Sequence, residues 1–163
     1  MTLLDDAGAL ALALEEARTG MAAGNDPVGA VLLRDGIVLG RGHNRFLAGG
    51  DPTSHAEMEA YRDAARRLAG TTPVHTIEDA IAGADMVTTA MPCPMCAGAI
   101  LRWRARRVLV SEDQTYSPGG TRAWMERHGI AVEVRRDEAV IALVRAWLAD
   151  HPERRPAYGL PGR

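Results

Sequence analysis

Two short segments, His55-Ala56-Glu57 and Pro92-Cys93-Pro94-Met95-Cys96, constrain the fold of this chain more than any other feature. They supply an imidazole, two thiols and a carboxylate, which act together only if the fold brings them to one point across roughly 35 intervening residues. One imidazole and two thiols form a donor set of the softness that zinc takes, and three protein donors leave the fourth tetrahedral position to water. A structural zinc needs a fourth protein ligand. There is no third cysteine, and His43, His75, His128 and His151 stand in no ligand-like spacing. We therefore assign His55, Cys93 and Cys96 as ligands of Zn2+, and Glu57 as an uncoordinated carboxylate able to carry protons.

Each piece also has a plainer interpretation. Ser54-x-x-Glu57 is the capping-box spacing of a helix start. A solitary C-x-x-C is a redox pair or half of a structural zinc site, and a solitary histidine is an ordinary core or surface residue. The combination of the two segments argues for the catalytic metal site.

Both segments open helices. Asp51-Pro52-Thr53-Ser54 is a loop and cap before a helix from His55 to about Leu68, and Cys93-Pro94 is a cap followed by proline at the first helical position. Small residues at Ala97, Gly98 and Ala99 would let the two helices approach closely. Elsewhere, apolar steps of three and four describe a helix from Leu3 to about Ala22, stopped by Gly24-Asn25-Asp26-Pro27. Val28–Leu33 and Ile37–Leu39 form a hairpin across Arg34-Asp35-Gly36. A helical turn over Ile77–Ile81 and a strand over Asp85–Thr89 follow. The second ligand helix ends near Arg104, before a strand over Val108–Val110. A helix over Thr121–His128, a strand over Ile130–Val134 and a helix to about Asp150 complete the series. This order predicts an α/β fold, a three-layer α/β/α sandwich on a five-stranded mixed sheet that is largely parallel after the hairpin. Residues 1–150 form the zinc-bearing domain. The proline- and glycine-containing stretch 151–163 is a tail rather than a regular element.

With 19 basic and 21 acidic side chains among 163 residues, the formal charge of −2 advertises no nucleic-acid partner and favours a small-molecule substrate. Both cysteines lie in the C-x-x-C, which fits a reducing compartment. Asp5, Asp6, Glu15 and Glu16 stand where a signal peptide would be basic and then apolar, and no stretch approaches a membrane-spanning length. A cytoplasmic location is expected.

The H-x-E and P-C-x-x-C segments, together with Gly40-Arg41-Gly42-His43-Asn44-Arg45-Phe46 and Asp51-Pro52-Thr53-Ser54, resemble the cytidine deaminase superfamily over about residues 5–150. The nearest branch is the one that acts on free bases, with fungal cytosine deaminases and bacterial guanine deaminases. The resemblance implies hydrolytic deamination with Glu57 as the acid/base, Asn44 bonding the base, Tyr116 stacking over the ring, and a homodimer. It also implies a closing C-terminal segment, which here would be a lid bearing Tyr158 and one of Arg154 and Arg155. The tail departs from the fungal pattern by having no carboxylate beyond Glu153. Cytosine or an analogue such as an aminotriazine is the first expectation for substrate, and guanine the next. A tRNA adenosine deaminase with Arg102–Arg107 on phosphates, and a non-catalytic zinc-stabilised partner domain, are the competing functions.

Overall fold

The computed structural model describes residues 3–71 and 73–158. Helices are α1 (Asp6–Ala22), α2 (Phe46–Gly49), α3 (Ala56–Ala69), α4 (Val74–Ile81), α5 (Pro94–Arg102), α6 (Thr121–Arg127) and α7 (Glu138–Asp150). Strands are β1 (Gly29–Arg34), β2 (Ile37–His43), β3 (Asp85–Thr88), β4 (Arg107–Val110) and β5 (Ala131–Val134). The sheet runs β2-β1-β3-β4-β5, with β1 antiparallel to both neighbours and β3, β4 and β5 parallel. The hairpin turn has Asp35 and Gly36 at φ 52° and 78°, the left-handed pair that a two-residue turn demands and that Asp-Gly adopts readily.

Alternate strand residues face opposite layers. Val31, Leu33, Val87 and Leu109 pack on Ala9 and Ala13 of α1. Ala30, Leu32, Met86, Val108 and Val110 share the larger core with Ala56, Ala60 and Ala64 of α3, Ala97 and Ile100 of α5 and Met125 of α6. On the α1 side, Val140, Val144, Trp147 and Leu148 of α7 pack with Leu14 and Met21. The three layers follow from these contacts. Among the described residues, no helix is long and apolar enough to cross a membrane.

Several boundaries differ from the sequence reading. α1 begins at Asp6 rather than Leu3, because the Asp5 carboxylate accepts the Gly8 N–H at 2.8 Å and caps the helix. β2 continues past Leu39 to His43, although Gly40 and Gly42 are poor strand formers. Both lie where α3 presses its backbone onto the sheet: a Cβ on Gly40 would fall 2.3 Å from the Ala60 carbonyl oxygen. The second ligand helix stops at Arg102, with Arg104 in the left-handed region at φ 57°. α4 is a full helix where only a turn over Ile77–Ile81 was expected, and α2 was not foreseen.

The tail is the clearest correction. Pro152–Tyr158 forms a 3₁₀ helix, not an irregular segment. Proline content argues only about local preference, whereas tertiary contacts hold this turn: Tyr158 is buried against Trp147, and Arg154 pairs with Asp26 at 2.9 Å. Residues 159–163 of the expected lid lie outside the described residues.

Candidate active site

His55 and Cys93 are the N-cap residues of α3 and α5, with extended backbone and no capping bond from either side chain. Neither side chain is spent on capping its helix, which leaves the imidazole and the thiol available to each other and to Cys96 in the first turn of α5. Cys93 Sγ lies 3.6 Å and Cys96 Sγ 3.8 Å from His55 Nδ1. Tetrahedral zinc, with bonds of about 2.3 Å to sulfur and about 2.0–2.1 Å to imidazole, sets sulfur and nitrogen roughly 3.5–3.6 Å apart, so these three donors fit that ion. The three mutually close ligand atoms form the one such group among the described residues.

The charge state of the group fits as well. The Cys96 thiol and the His55 ring bond to Cys93 and hold its sulfur as a thiolate, down to about 4. The shared proton and burial push Cys96 up, and the bond to Cys93 raises His55. Such a cluster exchanges protons for a cation. Glu57, in the first turn of α3, is 4% exposed, and this burial pushes its carboxyl up. The Ser54–Glu57 capping box does not form; Ser54 donates instead to Glu59 at 2.6 Å.

The side chain that caps α3 is Asn44, at the end of β2, whose Oδ1 accepts the Ala56 N–H at 2.9 Å. That bond uses one of the two Oδ1 lone pairs and leaves both N–H donors of the Asn44 amide open to a ligand. Asn44, His55, Glu57, Cys93, Tyr116 and Tyr158 line one cavity of about 310 Å³. Every sequence-assigned site residue is thus at this pocket or, for buried Cys96, bonded to its wall. Tyr116 and Tyr158 meet edge to face at 5.6 Å between centroids.

Asp26, Phe46 and Glu112 were missed by the sequence reading. Asp26 looked like part of a helix-stopping turn, yet its side chain is 6% exposed and lines the pocket. Phe46 lies 5.3 Å from the His55 ring. Glu112 is fully buried and accepts the Gln114 and Thr115 N–H groups at 2.7 and 2.9 Å, shaping the loop that carries Tyr116. Spacing gives no signal for any of them. Gly98, expected to admit the neighbouring helix, faces open space: a Cβ there meets nothing within 4 Å, and Ala97 alone of its trio is buried.

A three-layer α/β fold that presents one imidazole, two thiols and a buried carboxylate at helix starts defines the class of zinc-binding deaminase domains. Residues 5–112 match the cytidine and deoxycytidylate deaminase zinc-binding region, and the chain belongs to that family. A cytosine deaminase of Candida albicans is 30% identical over 150 residues, 91% of this chain and 93% of that protein. A tRNA-specific adenosine deaminase of Aquifex aeolicus is 34% identical over 102 residues, 63% of this chain and 62% of that protein. The X-ray structure of a guanine deaminase from Bacillus subtilis aligns with a TM-score of 0.57 at 32% identity, covering 69% of this chain and 67% of that one.

Proposed function

We propose that this chain is a zinc-dependent hydrolytic deaminase of a small free nucleobase or related aminated heterocycle. Cytosine or an analogue such as an aminotriazine is the first candidate, and guanine the alternative. The observation that carries this reading is the pocket itself. At about 310 Å³ it stands at the small end of ligand cavities, which run from about 300 to 1,000 Å³, and the 3₁₀ helix forms part of its wall. A bare ring suits that volume better than a ring with its ribose.

In this reading His55, Cys93 and Cys96 hold the metal. Zinc bound there supplies a water whose pKa is lowered toward neutrality. Glu57 takes one proton from the attacking water and delivers it to a ring nitrogen, then takes the remaining proton from the newly added hydroxyl and delivers it to the departing amine. A C–O bond forms, the C–N bond breaks, and ammonia and a carbonyl result. Burial suits Glu57 to this, because a raised carboxyl pKa brings its two protonation states closer to balance near neutral pH. Asn44 donates to an acceptor on the ring, and Tyr116 and Tyr158 pack on its face or edge. Residues 1–150 form the catalytic domain, with the 3₁₀ segment closing it. A homodimer in the cytoplasm remains part of the proposal, supported by the resemblance and by the placement of both cysteines in the metal site.

The tRNA alternative draws less support. Arg102, Arg104, Arg106 and Arg107 pair with Glu78, Asp79, Asp85 and Asp6 at 2.7–3.0 Å, so the cluster is already neutralised. β4 begins at Arg107, the end of the parallel strands opposite the one that leads to Cys93. Ammonia release from aminated bases, their ribosides and a tRNA anticodon stem tests the proposal. Free bases are expected to give the highest kcat/KM, and a riboside or the tRNA stem ranking first would overturn the free-base reading. Glu57→Gln should retain zinc and lose about 10²- to 10⁴-fold in rate. A variant that keeps more than about a tenth of the rate would require another proton carrier.

A further inference from the structure

The pocket holds a charge pair that the deamination steps leave unused. Asp26 Oδ1 accepts from Arg154 Nε at 3.1 Å and Oδ2 from Arg154 Nη2 at 2.9 Å, and both residues line the cavity. The guanidinium carbon of Arg154 stands 5.4 Å from the centroid of the Phe46 ring, which in turn lies beside His55. One aromatic ring therefore separates the pair from a metal donor. The two-bond clamp fixes both groups in register while leaving each some capacity. Arg154 keeps the Nη1 hydrogens, and the Tyr158 hydroxyl, which approaches Asp26, engages one of its remaining lone pairs and leaves another for a ligand. The pocket thus offers an acceptor next to a donor.

We propose that Asp26 and Arg154 read the edge of the ring where an N–H stands beside a C=O, and that Asp26 is the specificity-determining residue that separates an unsubstituted ring from one carrying carbon on that nitrogen. This rests on the free-base reading above and names the group that enforces it. The ring N–H donates to Asp26, and the neighbouring carbonyl accepts from Arg154. Asn44, whose oxygen is held by the Ala56 N–H, offers its amide N–H to another acceptor. On cytosine that nitrogen is N1, the position that carries ribose in cytidine, so a methyl or ribosyl group there removes the hydrogen and sets carbon against a buried carboxylate. Sites built around a polar bond reject ligands that lack the partner more strongly than apolar sites reject extra bulk. The three sources of recognition then have separate tasks: Asp26 accepts, Arg154 and Asn44 donate.

The test uses the zinc-loaded full chain with cytosine and 1-methylcytosine, which differ at the nitrogen that bears ribose in cytidine. Wild type should favour the unmethylated base by about 10- to 100-fold in kcat/KM, the range expected for one hydrogen bond to a charged group. Asp26→Ala should collapse that ratio toward unity. Arg154→Met should lower both substrates alike and preserve the ratio, because both retain the carbonyl. Zinc content and melting temperature report whether each variant is folded, and Asp26→Asn, with an intermediate ratio expected, replaces Asp26→Ala if that variant is not. An Asp26 variant with the wild-type ratio, or a wild type indifferent to methylation, would overturn the proposal and leave the pair as a latch for the 3₁₀ helix. Failure of wild type on every free base would instead overturn the reading beneath it.

Discussion

Helix α3 carries His55 at its cap and Glu57 in its first turn, and it rests on β2 through Gly40 and Gly42. A Cβ at Gly40 would lie 2.3 Å from the Ala60 oxygen, 2.4 Å from Ala64 N and 2.9 Å from Ala64 Cα. All three are main-chain atoms, so no rotamer change relieves the contact. Real Cβ atoms essentially never come within 3.0 Å of another atom, and the helix must therefore retreat by about 0.7 Å in Gly40→Ala. Ala60 and Ala64 are fully buried, which leaves no slack beneath them. Overpacking of this kind costs about 1–3 kcal/mol, and at roughly 2–4 °C per kcal/mol the melting temperature should fall by about 2–12 °C. The retreat also shifts His55 against cysteines held on a different helix. Displacements near 1 Å cost up to about 10²-fold in rate, so zinc retention and ammonia release should fall together. Thermal unfolding, metal analysis and initial rates measure the three effects. Gly70→Ala is the control: Gly70 is exposed, at φ −77°, with nothing within 4 Å of the added carbon, and a gain of about 0.4–1 kcal/mol is expected. A Gly40→Ala protein that melts within about a degree of wild type, with full zinc and full rate, would refute the packing argument.

Cys96→Ala should lose zinc and stability together, because binding energy at such a site is also folding energy; full zinc occupancy in the purified variant would remove Cys96 from the ligand set. Deleting residues 152–163 should leave the zinc in place while raising KM and lowering kcat, as loss of a closing element does. Unchanged kinetics after this truncation would reduce the 3₁₀ segment to packing for Trp147. Asp6 is held below its ordinary value of 3.8 chiefly by the Arg107 hydrogen bond, with Arg135 adding to it. Its contribution is therefore complete above that value and lost as pH falls through the lower folded value. Because Asp6 is about a third exposed, solvent screening holds the effect to about 1 kcal/mol or less. Asp6→Asn should lower stability at neutral pH and flatten the acid limb below about pH 4; parallel urea-stability curves for the two proteins across that limb would contradict the assignment.

The sequence by itself determined the His55, Cys93 and Cys96 cluster and most of the sheet. Ligand chemistry depends on a few atom types at short spacings, and His55, Cys93, Pro94 and Cys96 each sit where local helix-start geometry dictates the direction of the side chain. The unbroken aliphatic runs Val31-Leu32-Leu33 and Val108-Leu109-Val110, and the Asp35-Gly36 turn, are likewise local properties of the chain. What only the tertiary structure decided involves residues brought together from distant segments. The strand through Gly40 and Gly42 exists because α3 leaves no room for side chains there, although both residues weaken a strand locally. The 3₁₀ helix over Pro152–Tyr158 exists because Asp26 and Trp147 anchor it, against a composition that favours irregular chain. Asp26 and Arg154 are separated by 128 positions and joined by two hydrogen bonds. Neither has a spacing signal, because a pair formed across the fold depends on where both segments arrive, and the pattern around either residue alone does not encode that.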